Sequence, residues 1–132
     1  MRTLLAVVLI AHPGAFHVTT QSLSETTDPL QRVALYSGAP PNDSVEPRAH
    51  QVIAIVLEQL PPVDLRLFPP RPRRFRIAQL GRVEGFNGPR WDEIVFRDHG
   101  RAFYIFVGVG SHAGGQVPAL MTALDSLRVG NA

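Results

Sequence analysis

The sequence predicts one domain of the α+β class: a twisted antiparallel sheet with a C-terminal amphipathic helix packed on one face. Three patterns in the 132 residues lead to this prediction: an apolar run over 50–60, a hairpin pattern over 92–109 and a helical pattern over 116–128. Hairpin-type connections followed by one late helix are typical of such domains. We expect about five to seven strands, an ordinary size for a sheet.

The first third of the chain predicts a strand that runs into a loop and then a half-buried strand, after an ambiguous start. Residues 16–23 are rich in Thr and Val, and residues 31–37 alternate between apolar and polar side chains. Residues 1–15 contain an apolar run from Leu4 to Ala11, which fits either a buried first strand or a weak signal-peptide-like segment. The compartment, cytoplasm or cell envelope, therefore stays open. Residues 38–47 have the composition of a loop.

The middle of the chain contains a near-continuous apolar run. Residues 50–60 are rich in Val and Ile and are closed by Pro61 and Pro62, which favours a central strand over a helix. Shorter alternating patterns over 63–68 and 75–80 predict two further short strands.

The hairpin is the clearest element of the sequence. Residues 92–97 and 101–109 are strand-like and flank a short turn in which Gly100 can adopt a positive φ. Both faces of the second strand are apolar, which is typical of a strand with a neighbour on each side.

The last segment predicts the helix, over residues 116–128. Pro118 fits only a first helical turn, and Gly130 is a natural stop. Apolar residues recur at helical spacing, so this face should cover the sheet. The residues that we expect to share one core are Phe103, Ile105, Val107, Leu120, Leu124 and Leu127.

Composition excludes several classes of site. The chain has no cysteine, which excludes disulfides, thiolate nucleophiles and thiolate metal sites. All 13 basic residues are arginine. They are unevenly placed: residues 1–65 hold 3 Arg and 6 acids (net −3), and residues 66–132 hold 10 Arg and 5 acids (net +5). The total of +2 is mild and argues against a nucleic-acid partner.

The segment FPPRPRRF, residues 68–75, has two competing interpretations. It could be a cationic, polyproline-II-like site for an anionic membrane surface, a nucleic acid or a proline-binding domain. It could instead be a rigid connector, anchored by buried Phe68 and Phe75. We favour the connector and expect its arginines to be largely exposed, which makes them the candidate partner-binding residues: Arg71, Arg73 and Arg74.

The other polar motifs predict no catalytic, cofactor or metal site. The glycines of residues 106–115 resemble a dinucleotide-binding loop, but too few residues follow for a second strand and its acidic ribose ligand. The histidines lack a metal-binding spacing. Glu58, His99 and His112 could still converge in space, and the sequence leaves this open.

Six segments between residues 13 and 129 stand out as landmarks: PGAFHVTTQSL, DPLQRVALYS, EQLPP, FPPRPRRF, FRDHGRAFYIFVGVG and ALDSLRV. In these segments the chain resembles a group of uncharacterised actinobacterial proteins. The resemblance implies a small α+β domain and no established activity, and the layout alone is also similar to the PsbP/Mog1-like fold.

Two hypotheses for function follow. The favoured one is a non-catalytic binding or structural module, which contacts a protein partner or a second copy of itself. The alternative is a small ligand-binding protein or enzyme with a pocket between the sheet and the helix.

Overall fold

The structure, a computed structural model, describes residues 7–9, 17–23, 30–37 and 46–129. Expectations for 1–6, 10–16, 24–29, 38–45 and 130–132, which include most of the 1–15 segment and the stop at Gly130, lie outside these residues. The described part contains short 3₁₀ turns at Leu65–Leu67 and Gly114–Gln116. Its regular elements are β1 (Val7–Leu9), β2 (His17–Leu23), β3 (Leu30–Tyr36), β4 (Val52–Gln59), β5 (Trp91–Asp98), β6 (Arg101–Val109), α1 (Val117–Asp125) and β7 (Leu127–Val129).

The main sheet has five strands in the order β2-β3-β4-β6-β5, and every neighbouring pair is antiparallel. The predicted α+β class is therefore confirmed. β4 and β6 each have a neighbour on both sides, as their apolar sequences predicted. β1 pairs with β7 in a separate two-stranded sheet. The alternative of a signal-like segment at residues 1–15 stays a hypothesis, and no helix among the described residues is long and apolar enough to cross a membrane.

The hairpin of β5 and β6 is formed as predicted. Ile94 lies opposite Ile105, and Asp98 lies opposite Arg101. The turn between them consists of His99 and Gly100, which both have positive φ, at 52° and 74°. Such a two-residue turn has the twist that the flanking strands require.

One face of the sheet packs against α1. Alternation sends Val52, Ala54 and Val56 of β4 to this face, and Leu120 and Leu124 of the helix are fully buried against it. The six residues predicted to share a core all belong to this cluster: Phe103, Ile105, Val107, Leu120, Leu124 and Leu127. That prediction is confirmed.

The helix is shorter than the predicted range of 116–128. It begins at Val117, with Pro118 in its first turn, and ends at Asp125. Ser126 stops it, because its hydroxyl and its backbone N–H both donate to the carbonyl of Ala123. Leu127 therefore reaches the core from β7 and not from the helix.

The other face of the sheet is covered in part by the loop before β5. Ile53, Ile55 and Trp91 form a second buried cluster, against which Val83 packs. The ring of Phe86 lies 4.5 Å from that of Trp91 and packs on the face of the sheet opposite α1. This face therefore has its own aromatic cover, although no helix in the described ranges packs on it.

Two predicted short strands are wrong. Residues 63–68 contain the 3₁₀ turn instead, because the Asp64 carboxylate accepts from the backbone N–H of Arg66 and stabilises a turn. Leu67, which alternation assigned to a strand, is 76% exposed. Residues 75–80 form no strand. One of their contacts with β5 is a hydrogen bond, in which Ala78 N–H donates to the Asp92 carboxylate at 2.8 Å.

Candidate anion-binding groove

The proline-rich segment 68–75 attaches to the outer edge of β5. The carbonyl of Pro69 accepts from Arg97 N–H at 2.7 Å, and Arg71 N–H donates to Arg97 C=O at 3.0 Å. Prolines have no N–H, so Arg71 carries the only backbone donor between residues 69 and 72, and that donor is used. Pairing of this kind fits an edge and could not occur inside a sheet.

Two phenylalanines anchor the ends of this segment, as predicted. Phe68 is buried, and its ring meets Tyr104 edge-on at 5.4 Å. Phe75 is buried as well, and its ring lies 5.2 Å from Phe96 in the helix-side core. The chain between the two rings is therefore held as a rigid connector.

Arg71 does not point into solvent, and the expectation of a largely exposed side chain is wrong for this residue. Its side chain is 21% exposed, because its Nη1 lies 3.2 Å from an Asp98 carboxylate oxygen. Its Nη2 donates to the Asp125 carbonyl at 3.1 Å, and the guanidinium lies 5.2 Å from the Phe75 ring centre. Arg71 thus ties the connector to both β5 and the end of α1.

We expect the three arginines of the connector to differ in their effect on stability. Arg71→Gln should lower the free energy of unfolding by about 1–3 kcal/mol, because charge-assisted hydrogen bonds and a cation–π contact are lost. The double variant R73Q/R74Q should stay within about 0.5 kcal/mol of the wild type, because exposed charges contribute little. Urea denaturation measures both. Equal effects of the two variants would contradict the role given to Arg71.

Arg73 and Arg74 line an open groove between the connector and α1. Both side chains are exposed, and Arg76 adds a third guanidinium. The groove encloses about 950 Å³, and Met121 and Thr122 of α1 form its opposite wall. The groove therefore has arginines on one side and a partly apolar helix face on the other.

The acids near the groove are already engaged. Asp125 accepts the backbone N–H of Phe75 at 2.8 Å, and Asp98 pairs with Arg71. Arg66 pairs with Asp64, and this hydrogen bond lowers the pKa of the Asp64 carboxyl below its usual value. By contrast, Arg73, Arg74 and Arg76 have no ion pair within the described part of the chain. Three guanidiniums against the single Asp125 carboxylate leave the groove with a net positive charge, which suits it to an anion.

The residues of the enzyme hypothesis lie apart. The Glu58 carboxylate is paired with Arg101 in the core. His99 lies in the hairpin turn, with Nδ1 2.7 Å from Asp98. His112 follows the other end of β6, where its ring stacks on that of His50 at 5.2 Å. No described contact joins any two of Glu58, His99 and His112. The space between sheet and helix, where the predicted pocket would lie, is filled by fully buried side chains.

The glycine-rich loop after β6 has a packing role. A Cβ at Gly110 would lie 1.9 Å from the carbonyl oxygen of Arg48, so no larger residue fits. The close approach allows Gly110 N–H to donate to Gln51 C=O at 2.7 Å. This agrees with the prediction of a loop that joins the strand to the helix.

Sequence reasoning found only half of the groove. The clustering of Arg73 and Arg74 indicates one wall. Met121 lies in the core as the helical spacing predicts, and only its exposed edge, with Thr122 of the polar side, reaches the groove. The helical pattern could have indicated the second wall, because Thr122 and Asp125 are three positions apart and therefore share one helix face. The sequence does not show that the connector packs beside that face of the helix.

Comparison with family models, with curated proteins and with solved structures gives no match for this chain. The resemblance to the actinobacterial group, and the likeness in layout to the PsbP/Mog1-like fold, therefore stay hypotheses.

Proposed function

We propose that the protein is a non-catalytic binding module whose groove binds an acidic segment of a protein partner. One observation supports this above all: three exposed guanidiniums, which have no ion pair with any described residue, line a single groove beside α1. Arginine donors match carboxylates in geometry and can bind them with two parallel hydrogen bonds.

The groove favours a peptide over a nucleic acid. Single-stranded nucleic acids need exposed aromatic rings on which bases stack. The aromatic residue in the wall of this groove is Phe75, whose ring is buried in the core. Exposed Pro72, and the part of Met121 that is 9% exposed, offer apolar contact instead. We therefore expect a segment in which acidic residues are interspersed with an apolar side chain.

Binding of a labelled peptide of alternating Glu and Leu tests the proposal, by fluorescence anisotropy at about physiological salt (~0.15 M). The triple variant R73Q/R74Q/R76Q should weaken binding by about 10–100-fold, because each lost pair contributes about 0.5–1 kcal/mol. Its matched control removes the same charge from three exposed arginines outside the groove, in R48Q/R66Q/R82Q. The control should change affinity by less than about twofold.

Two outcomes would overturn the proposal. Equal weakening in the triple variant and its control would show that only net charge matters. Binding to duplex DNA or to phosphatidylserine vesicles, with none to the peptide, would identify a different class of partner. Circular dichroism of each variant confirms that the fold is retained.

A further inference from the structure

The two edges of the five-stranded sheet differ in how they are protected. At the β5 edge, two isolated bridges hold the segment between β4 and β5 against the strand. They pair Pro70 with Arg97 and Gly81 with Trp91. Prolines and covering loops are common devices that prevent a sheet edge from pairing with another chain. The β5 edge is therefore closed at both of its ends.

The other edge is β2, where no bridge or proline among the described residues covers the strand. It pairs with β3 along all seven residues from His17 to Leu23, and no other strand in the described ranges pairs with it. Its sequence, HVTTQSL, contains no proline, no glycine and no Asp, Glu, Lys or Arg. An edge strand of this length without charge or proline is a ready template for a further strand.

We propose that β2 pairs with β2 of a second copy of this chain, antiparallel and about a two-fold axis at Thr20. A two-fold contact of this kind is closed and uses the same residues on both copies. The two five-stranded sheets would then join into one continuous sheet. This inference is independent of the proposed function.

The sequence of β2 supports a second copy as the occupant. With Thr20 on the axis, Thr19 lies opposite Gln21, Val18 opposite Ser22 and His17 opposite Leu23. No two like charges of Asp, Glu, Lys or Arg meet, and threonine pairs across strands are favourable. A strand from an unrelated partner would gain no charge-based selectivity here, because β2 offers none.

The groove does not compete with this contact. It lies beside the connector attached to β5, and β5 is at the opposite end of the strand order from β2. A dimer through β2 would therefore leave one groove free on each copy.

Cysteine cross-linking of the full chain tests the register, because the wild type has no cysteine. In the dimer, the Cα atoms of the two Thr20→Cys residues would lie about 4.5–5.5 Å apart, within reach of a disulfide. The two Ser22→Cys residues would lie about 13 Å apart, four positions out of register. We expect rapid intermolecular cross-linking of T20C under mild oxidation, and slow cross-linking of S22C and of Glu93→Cys on β5.

Sedimentation of the wild type tests the dimer without any substitution. Two chains of 14.5 kDa give a dimer of 29 kDa, which we expect at tens of micromolar protein. A 14.5 kDa monomer up to about ten times that concentration would overturn the inference and leave β2 to a strand of another protein or of this chain. Cross-linking of E93C as fast as T20C would overturn it as well.

Discussion

Glu58→Gln is expected to lower the free energy of unfolding by about 3–5 kcal/mol, the effect of breaking a buried ion pair. The side chains of Glu58 and Arg101 are 3% and 2% exposed. The substitution would leave the Arg101 guanidinium in the core without its counter-charge. Urea denaturation measures the loss.

The geometry of this pair explains the size of the effect. Arg101 Nε donates to one carboxylate oxygen of Glu58 at 2.6 Å, and its Nη2 donates to the other. Two parallel hydrogen bonds fix both side chains on the helix face of the sheet, where Phe103 lies directly opposite Glu58 across the strands. An amide cannot neutralise the guanidinium and can accept through only one of its two terminal atoms.

Two control variants distinguish the effect of breaking the ion pair from other effects of the substitution. Glu84→Gln removes an exposed carboxylate and should change stability by less than about 0.5 kcal/mol. The double variant E58L/R101M replaces the pair with apolar side chains and should recover most of the loss, because such replacements are often neutral or stabilising. A cost below about 1 kcal/mol for E58Q would contradict the view that the pair is desolvated.

Phe75→Ala is the second large effect, about 3–5 kcal/mol of lost stability, as is usual when a buried aromatic ring is removed. The ring is 2% exposed, packs on Phe96 and lies under the Arg71 guanidinium. Its loss leaves a cavity at the junction of connector, sheet and helix. Both the ring contact and the cation–π contact disappear together.

The neighbouring residue provides a matched comparison for F75A. Arg76→Ala changes an exposed side chain one position away and should leave stability within about 0.5 kcal/mol of the wild type. It should nevertheless weaken peptide binding, since Arg76 lines the groove. Loss of stability in R76A comparable to that in F75A would show that the connector is not anchored through the ring.

Long apolar patterns in the sequence predicted the elements that form the core. Burial of one or both faces repeats apolar side chains at a regular spacing along a long segment. This regularity predicted β4, the β5–β6 hairpin and the buried face of α1. The short strands at 63–68 and 75–80 failed because a few alternating residues carry little information. There, one Asp side chain and the nearby prolines determine the local structure.

Long-range polar partners could not be predicted in this way. Arg71 lies 27 positions from Asp98 and 54 from Asp125. Glu58 lies 43 positions from Arg101. Sequence alone gave Arg71, Arg73 and Arg74 the same environment, and only the packing of β5 and α1 separates Arg71 from the others. The groove was missed for the same reason, since its two walls are distant in the sequence.

The position of β6 between β4 and β5 also affects how this chain folds during synthesis. The β2–β3–β4 meander and the β5–β6 hairpin form from neighbouring segments, but the ladder that joins them pairs Gln59 with Ala102 and Val52 with Val109. Loop closure over such a distance makes this ladder a slow step. At about 5–20 residues per second, translation from Gln59 to Val109 takes about 2.5–10 s. During that time β4, which is apolar from Val52 to Leu57, has an unpaired edge, so chaperone binding or aggregation of the nascent chain would begin there.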